Sequence, residues 1–298
     1  MKLSHVGERK LTYEITRKFS IPFDDCAFIE RGEYCEVVTT DMVNRRTHFP
    51  PSASFYHMGW YAMAVNISDL AAKGAEPEAY LVAMGLPREM DMDDYNEIIH
   101  GMEMCIGEYG GKIVGGDTKE SEELMIAVTA IGSVKKKEFM PRKGAREGDA
   151  VYVTGKLGRG GAALRDGNMD ELLLIKPRLK EGLMLASSRK VSSCMDLSDG
   201  LASSLYQLMK INGKGFRIYE AWLPVHNNAK KYDDALELAL YCGGDYELLF
   251  TMPQENEVEL RGKMEIKKIG EVMKEQKVLF IRDEKEEEME NRGYEHFT

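Results

Sequence analysis

The pattern of apolar and polar positions is most distinctive in the segment 60–77. Apolar residues recur there at helical spacing, and a glycine and a proline indicate the helix end, at Trp60, Ala64, Ile67, Ala71, Gly74 and Pro77. One carboxylate, Asp69, lies in the middle of this helix, and Asn66 shares its face. Because burial of an ionised carboxylate is costly without a positive partner, we expect a cation beside Asp69.

The first half of the chain alternates short strand patterns with helical ones. We predict helices over 1–20 and 95–109, strands over 79–87, 112–114 and 124–134, and two short strands joined by a turn at 30–33 between Cys26 and Asp41. The polar segment 42–50, which ends in two prolines, is typical of a loop. Asp25, Asp41 and Asp117 are therefore expected at strand ends.

The second half continues the alternation. Its predicted strands are 150–155, 215–219 and 246–251, and its predicted helices are 201–212 and 229–241. The run 284–290 is highly charged and is expected to be solvated. This order of elements favours an α/β (α+β) fold. The composition of 141–149 indicates a linker, so we predict domains at 1–137 and 138–298.

Several aspartates stand next to short apolar runs, and none of them has a basic residue directly beside it. They are Asp25, Asp41, Asp69, Asp117, Asp196 and Asp199. Oxygen ligands of this kind suit several hard cations. For a single aspartate, capping of a nearby backbone is the better interpretation, but the repetition favours a metal site. Asp196 and Asp199 also precede a helix, whose free amides favour phosphate.

Charge and composition exclude several classes of protein. The chain has 298 residues, 50 of them acidic, and a formal net charge of −10, which argues against binding to nucleic acid or to an anionic membrane surface. No segment is apolar over the length needed to cross a bilayer, and the first residues do not resemble a signal peptide. The five scattered cysteines never form a Cys-x-x-Cys pair, so we expect a cytoplasmic protein with small, buried cysteines.

A glycine-rich stretch leaves one competing interpretation open. Gly158-Arg-Gly160-Gly-Ala-Ala163 matches the dinucleotide-binding fingerprint Gly-x-Gly-x-x-Gly/Ala. A lone match of this kind is weak, and the acidic residue expected about twenty positions later is missing. The sequence also contains no Walker motif and no protein-kinase His-Arg-Asp set. If phosphate chemistry occurs, its catalytic charge must come from metal ions.

Eight motifs in register resemble the thiamine-monophosphate kinase family. They are Asp24-Asp-Cys-Ala27, Thr39-Thr-Asp41, His48-Phe49, Asn66 to Pro77, Gly115-Gly-Asp-Thr118, Asp196-Leu-Ser-Asp-Gly200, Asp245-Tyr-Glu-Leu248 and Gly293-Tyr-Glu-His-Phe297. The wider superfamily includes aminoimidazole ribonucleotide synthetase and selenophosphate synthetase. The resemblance implies the two-domain fold of that superfamily, with an N-terminal sheet domain that pairs into a homodimer, a C-terminal α/β domain, and ATP held between the domains.

The same resemblance implies roles for individual residues. Magnesium ligands would be Asp25, Thr39, Thr40, Asp41, Asp69, Asp117, Asp196 and Asp199, of which Asp69, Asp117 and Asp196 would be catalytic. ATP would contact Gly116, Asp117, Arg142 and Ser198, and thiamine monophosphate would contact His48 and Tyr294. The sequence departs from the family at Gly244, where a glutamate that contacts the acceptor is expected.

The expected function is ATP-dependent phosphorylation of thiamine monophosphate to thiamine diphosphate, by direct in-line transfer with several Mg²⁺ ions. The alternatives are another ATP-using synthetase of the superfamily and a non-catalytic Mg-nucleotide binding module. From spacing alone, a surface imidazole is the better interpretation of His48. Phe297 is expected to cover a hydrophobic edge, whereas the ring of Tyr294 is expected to stack on the cationic acceptor.

Overall fold

The computed structural model describes residues 3–296. Its α-helices are α1 (Glu8–Phe19), α2 (Arg45–His48), α3 (Phe55–Ala72), α4 (Met92–Tyr109), α5 (Arg159–Asp166), α6 (Met169–Leu173), α7 (Leu179–Ser188), α8 (Leu201–Asn212), α9 (Ala235–Tyr241) and α10 (Glu257–Leu260). Its strands are β1 (Ala27–Arg31), β2 (Tyr34–Asn44), β3 (Glu76–Leu86), β4 (Ile113–Glu120), β5 (Met125–Lys135), β6 (Ala150–Thr154), β7 (Ser193–Asp196), β8 (Gly215–Tyr219), β9 (Leu248–Met252), β10 (Ile266–Met273), β11 (Val278–Arg282) and β12 (Lys285–Glu288).

These elements form two compact units. The N-terminal unit contains residues 26–140 and 163–189, and the C-terminal unit contains 3–25, 141–162 and 190–296. Each unit has its own sheet, which confirms the predicted α/β (α+β) fold with two sheet domains. The predicted domain boundary between residues 137 and 138 stays a prediction.

The N-terminal unit is built on a five-stranded sheet in the order β1-β2-β5-β3-β4. The strands pair in antiparallel fashion except β3 and β4, which are parallel. Along β5, buried residues alternate with half-buried ones, so one face of the sheet packs against helices. That face contacts α3, which in turn packs against α4 and α7.

Helix α3 is confirmed as the buried helix that the apolar pattern predicts. Ser54 begins it with a capping box, because its hydroxyl accepts from the amide of His57 while the His57 ring accepts from the amide of Ser54. Most of its residues are buried all round the helix, as in a helix enclosed by other elements. Gly74, with φ of +66°, ends it.

The C-terminal unit is built on a seven-stranded sheet in the order β12-β11-β8-β10-β6-β9-β7. Only β8 and β11 pair in parallel; the other pairs are antiparallel. Helix α8 packs its apolar face into the core of this unit, next to residues of β6 and β8, through Leu201, Leu205 and Leu208.

Several local predictions are wrong in detail. Strand β2 continues to Asn44 and is followed by α2, so Asp41 lies inside a strand and the segment 42–50 is not simply a loop. Asp117 likewise lies inside β4 rather than after it. The predicted helix 229–241 is a short 3-10 turn followed by α9. The charged run 284–290 contains the exposed edge strand β12, and β10 and β11 had no counterpart in the prediction.

No helix among residues 3–296 is both long enough and apolar enough to span a membrane. Of the five cysteines, four are buried and Cys242 is half-buried, and all are free thiols. This agrees with the prediction that they are small residues of the interior.

Candidate functional site

Two of the predicted metal ligands lie together in the C-terminal unit. Asp196 is the last residue of β7, and Asp25 precedes β1. Their carboxylates each offer an oxygen within 4.8 Å of the other. The Asp25 side chain is fully buried, and Asp196 is only 4% exposed. Two acidic groups this close require a positive partner, since burial of unpaired charge is costly.

Arg142 supplies part of that positive charge. Its Nε donates to Oδ1 of Asp25 over 2.7 Å, its Nη2 forms an ion pair with the same carboxylate, and its Nη1 donates to Oε1 of Gln207 over 3.2 Å. Burial alone would lower the pKa of Arg142, but Asp25, Asp24 and Asp196 raise it above its ordinary value. The structure therefore brings the predicted ATP contact Arg142 to the predicted ligands Asp25 and Asp196.

The loop after β7 holds the predicted residues Ser198 and Asp199. The carbonyl of Ser198 accepts from the amide of Gly244 over 2.8 Å, and the carbonyl of Asp199 accepts from the amide of Tyr294 over 3.0 Å. Burial raises the pKa of the Asp199 carboxyl to about 6, although the nearby Arg9 opposes the shift. This loop thus joins the segment of the family motif at Gly244 to the C-terminal tail.

The tail is held by helix α1 as well. Arg9 donates from Nη2 to the carbonyl of Tyr294 over 2.7 Å, and its own amide donates to Oε1 of Glu295 over 3.1 Å. Tyr294 is 48% exposed, and its ring contacts the ring of His296 edge-on, with 5.0 Å between the two ring centres. Phe297, predicted to cover a hydrophobic edge, lies outside the described residues.

In the N-terminal unit, the middle of α3 contacts strand β2. The hydroxyl of Thr39 donates to Oδ2 of Asp69 over 2.6 Å, and the amide of Asp41 donates to Oδ1 of Asn66 over 3.0 Å. Asn66 is fully buried and donates in turn to the carbonyl of Ala62. The structure therefore brings Thr39 and Asp41 of β2 next to the segment of α3 that carries Asp69. It also confirms that Asn66 and Asp69 present polar groups on the same side of the helix.

Thr40 and Asp117 lie on the opposite face of the same sheet. Successive residues of a strand point to opposite faces, and Thr40 receives a hydrogen bond of 3.1 Å from Thr129 on that outer face. Asp117 is paired in register with Ala83, and its side chain is 62% exposed with Nζ of Lys119 at 3.4 Å. The predicted ligands of this unit are thus divided between two faces.

Gly116 is required by close packing of two strands. A Cβ at this position would stand 1.8 Å from the carbonyl oxygen of Val82, so no other residue fits without displacement of the backbone. His48, the predicted acceptor contact, is half-buried at the end of α2, where its Nδ1 accepts from the amide of Asn44 over 3.3 Å. The same nitrogen also lies 2.9 Å from the hydroxyl of Thr47.

The carboxylate of Asp245 binds the backbone amides of the glycine-rich loop at 158–161. Oδ2 of Asp245 accepts from the amide of Gly158 over 2.7 Å, and Oδ1 accepts from the amide of Gly160 over 3.0 Å. In a dinucleotide-binding protein these amides would face the pyrophosphate. Because the carboxylate already uses them, and because β6 pairs only with antiparallel strands, the loop does not have the Rossmann geometry.

Asp24 and Gln207 are site neighbours that sequence reasoning missed. Asp24 accepts from the amide of Arg142 over 3.0 Å and from the amide of Asp25 over 2.9 Å. The doubled aspartate was a visible signal for Asp24, whereas nothing in the local pattern marks Gln207. Carboxylate and hydroxyl oxygens of the kind found in both units are the ligands that Mg²⁺ prefers, so the donor set fits this ion.

Comparison with known proteins identifies relatives of the whole chain. Residues 23–134 match the family model for the N-terminal domain of AIR synthase related proteins, and residues 146–282 match the model for the C-terminal domain. The thiamine-monophosphate kinase of Methanospirillum hungatei is 38% identical over 78% of this chain and 80% of its own length. That of Aquifex aeolicus is 31% identical over 100% of both chains.

Solved structures also match nearly the whole chain. The structure of AaThiL complexed with AMPPCP and TMP superimposes with a TM-score of 0.90 at 29% identity, and 99% of each chain is covered. The hydrogenase maturation protein HypE in complex with ATP has a TM-score of 0.73 at 22% identity over 95% of each chain, which shows a shared fold.

Proposed function

Because this chain belongs to the AIR synthase related proteins and, among them, to the thiamine-monophosphate kinases, we propose that it transfers the γ-phosphate of ATP to thiamine monophosphate. The products are ADP and thiamine diphosphate. The observation that carries the proposal is the similarity to kinases of this name along the whole chain, together with the match to a structure that contains AMPPCP and TMP.

The predicted oxygen ligands fit a magnesium-dependent transfer. In the C-terminal unit Asp25, Asp196 and Asp199 would hold Mg²⁺. In the N-terminal unit Thr39, Asp41 and Asp69 would hold it on the sheet face that contacts α3, and Thr40 and Asp117 would hold a separate ion on the opposite face. When bound, Mg²⁺ neutralises phosphate charge and orients the reacting oxygens. Asp69, Asp117 and Asp196 are proposed as the catalytic members of this set.

The remaining residues position the two substrates. Arg142 carries the guanidinium that would bind phosphate oxygens of ATP, with the loop residue Ser198 and the strand residue Gly116 as further contacts. His48 and Tyr294 would hold thiamine monophosphate. Gly244 lacks a side chain where the family has glutamate, so acceptor contacts depend more heavily on these two rings.

Transfer is proposed to be direct, from ATP to the acceptor phosphate. Phosphoryl transfer needs positioning and charge neutralisation more than covalent chemistry, and no His, Asp or Ser of the sequence stands in a recognisable nucleophile setting. Incubation with γ-labelled ATP in the absence of acceptor should leave the protein unlabelled. A labelled phosphoenzyme would contradict direct transfer.

The activity itself is tested by measuring ADP and thiamine diphosphate in the same reaction. With saturating ATP and Mg²⁺, the two products should form in equal amounts with thiamine monophosphate, and thiamine should not replace it. Nucleotide binding without thiamine diphosphate would favour a Mg-nucleotide binding module. ADP release only with a different acceptor would favour another synthetase of the superfamily.

A homodimer that forms through the N-terminal sheet is also proposed. The sheet face opposite α3 carries apolar side chains in register, because Val38 pairs with Ile131 on β5 and Ile131 pairs with Ala79 on β3. On the same face Met42 is 56% exposed and Leu81 is 41% exposed. Such a patch supports burial against a second copy. The expected cytoplasmic location stays a prediction.

A further inference from the structure

Arg142 is fixed in place by its backbone as well as by its side chain. Its amide donates to Oδ2 of Asp24 over 3.0 Å, and its carbonyl accepts from Oγ of Ser193 over 2.7 Å and from Nδ2 of Asn212 over 3.0 Å. The guanidinium lies 5.4 Å from the centre of the Phe23 ring. Little freedom therefore remains for Arg142 while these contacts persist.

Two of the three guanidinium nitrogens of Arg142 bind one carboxylate. Both Nε and Nη2 of Arg142 contact Oδ1 of Asp25, and the two side chains are 12% and 0% exposed. Asp196 adds a second negative charge within 4.8 Å of Asp25. A buried carboxylate pair without a counter-ion is strongly unfavourable. The guanidinium of Arg142 therefore supplies the positive charge that a metal cation would otherwise supply.

We propose that Arg142 is the counter-ion of Asp25 in the metal-free protein, and that a divalent cation competes with its guanidinium for Oδ1 of Asp25. This inference rests on the proposed function, which assigns Asp25 and Asp196 to the metal and Arg142 to ATP. Asp24 is the positioning residue of the pair, since its carboxylate accepts from the amides of both Asp25 and Arg142.

The competition has a direct consequence for ligand binding. A divalent cation on Asp25 repels the guanidinium and leaves its donors free, and a guanidinium with free donors binds phosphate oxygens in a fixed fork. Conversely, a nucleotide that takes up the Arg142 guanidinium leaves Asp25 available to the cation. By linkage, metal and nucleotide therefore raise each other's affinity by the same factor.

The test measures the affinity of the full-length protein for Mg²⁺ alone, without nucleotide, by calorimetry. Arg142→Gln removes the charge and keeps most of the side chain's length. We expect this variant to bind Mg²⁺ about fivefold more tightly or better than the wild type, in the usual range of coupling between sites. An unchanged or weaker affinity overturns the proposal.

Two further variants separate this effect from a general change of charge. Arg142→Lys keeps the charge, so its affinity for Mg²⁺ should stay near that of the wild type. Arg217→Gln removes another paired arginine of the same unit, whose partners are Glu271 and Glu286, and should leave the affinity for Mg²⁺ unchanged. A gain in Arg217→Gln equal to that in Arg142→Gln would overturn the proposal.

A measurement on the wild type covers the case in which Arg142→Gln does not fold. The Nε–H resonance of Arg142, identified by its absence in the spectrum of Arg142→Lys, should move on saturation with Mg²⁺ because it loses Asp25 as acceptor. A resonance that stays in place at saturation overturns the proposal.

Kinase activity distinguishes this inference from the proposed function. If the wild type forms thiamine diphosphate but Arg142→Gln binds Mg²⁺ no more tightly, the competition is wrong and the function stands. If the wild type neither binds Mg²⁺ nor forms thiamine diphosphate, both are wrong.

Discussion

Asp117 is the predicted ligand whose role can be tested with the least disturbance to the fold. Its side chain is 62% exposed and lies on a strand whose residues are all exposed. Asp117→Asn should lower kcat by on the order of 10²-fold or more, as loss of a charge that stabilises the transition state does. Glu120→Gln on the same strand is the control. Near-full activity of Asp117→Asn with Mg²⁺ would contradict the assignment.

Tyr294 offers a test of acceptor recognition. Its backbone contacts, to the carbonyl of Asp199 and from Arg9, do not depend on the ring. A ring stacked on a cationic heteroaromatic contributes roughly 0.5–2 kcal/mol, so Tyr294→Ala should raise the KM for thiamine monophosphate about 2- to 30-fold and leave ATP affinity nearly unchanged. Tyr294→Phe keeps the ring and should behave like the wild type. Equal losses for both ligands, with a lower melting temperature, would indicate packing instead.

The buried carboxyl of Asp245 should make the stability of the protein depend on pH. Burial raises its pKa to about 6, against the hydrogen bonds from Gly158 and Gly160 that lower it. The folded state therefore binds a proton more strongly than the unfolded state, whose aspartate has a pKa of about 3.9. The stabilisation that comes from this tighter proton binding is fully present below about pH 4, and it is lost as the pH rises through about 6.

Asp245→Asn should remove that contribution to the pH dependence. The difference in unfolding free energy between wild type and variant should change by roughly 3 kcal/mol between pH 4 and pH 7, since one pKa unit corresponds to about 1.4 kcal/mol. Denaturant unfolding at several pH values measures it. Parallel curves for the two proteins would show that the carboxyl is not responsible.

At the scale of single residues, residue type and local spacing predicted which side chains could bind a ligand, but they did not predict every contact. The placement of Asn66 and Asp69 on the same side of α3 followed from helical spacing. By contrast, Asp25 and Arg142 are separated by 117 positions in the sequence, and nothing local indicates that one would bind the other. A contact of this kind depends on the tertiary fold.

At the scale of elements, strand pairing extends what local pattern suggests. Strand β2 pairs with β5 along its whole length, from Tyr34 opposite Lys135 to Asn44 opposite Met125. Its last three residues, Met42 to Asn44, begin a segment that is otherwise mainly polar, but the ladder to β5 gives their backbone groups partners. Because that stabilisation comes from a distant segment, the sequence pattern predicted a strand that was too short.

The packing of α3 on α4 depends on glycines at the helix contact. A Cβ on Gly101 would lie 2.2 Å from the carbonyl oxygen of Tyr56, whereas a Cβ on Gly107 of the same helix would meet nothing within 4 Å. Gly101→Ala should therefore destabilise the protein by about 1–3 kcal/mol or more. Gly107→Ala should stabilise it by up to about 1 kcal/mol through helix propensity. Equal effects of the two changes in denaturant unfolding would contradict close packing at Gly101.

At the scale of the whole molecule, the outer face of the N-terminal sheet predicts the oligomeric state. Leu81 is 41% exposed in the middle of that face. Leu81→Asp would place a charge in the proposed contact, so it should convert a dimer to a monomer. Val258→Asp, at a 72% exposed position of the C-terminal unit, is the control. Light scattering coupled to size exclusion gives the masses, and a dimer that persists in Leu81→Asp would contradict this interface.

The N-terminal unit is completed by a segment that follows it in the sequence. Residues 163–189 belong to this unit although residues 141–162 belong to the other, and a Cβ on Gly182 of α7 would stand 2.1 Å from the carbonyl oxygen of Ala71 in α3. A gene fragment that stops at residue 137 would therefore encode α3 without the helix that covers it. Dissection of this protein for crystallisation or for swapping modules between relatives requires a rejoined segment rather than a single cut.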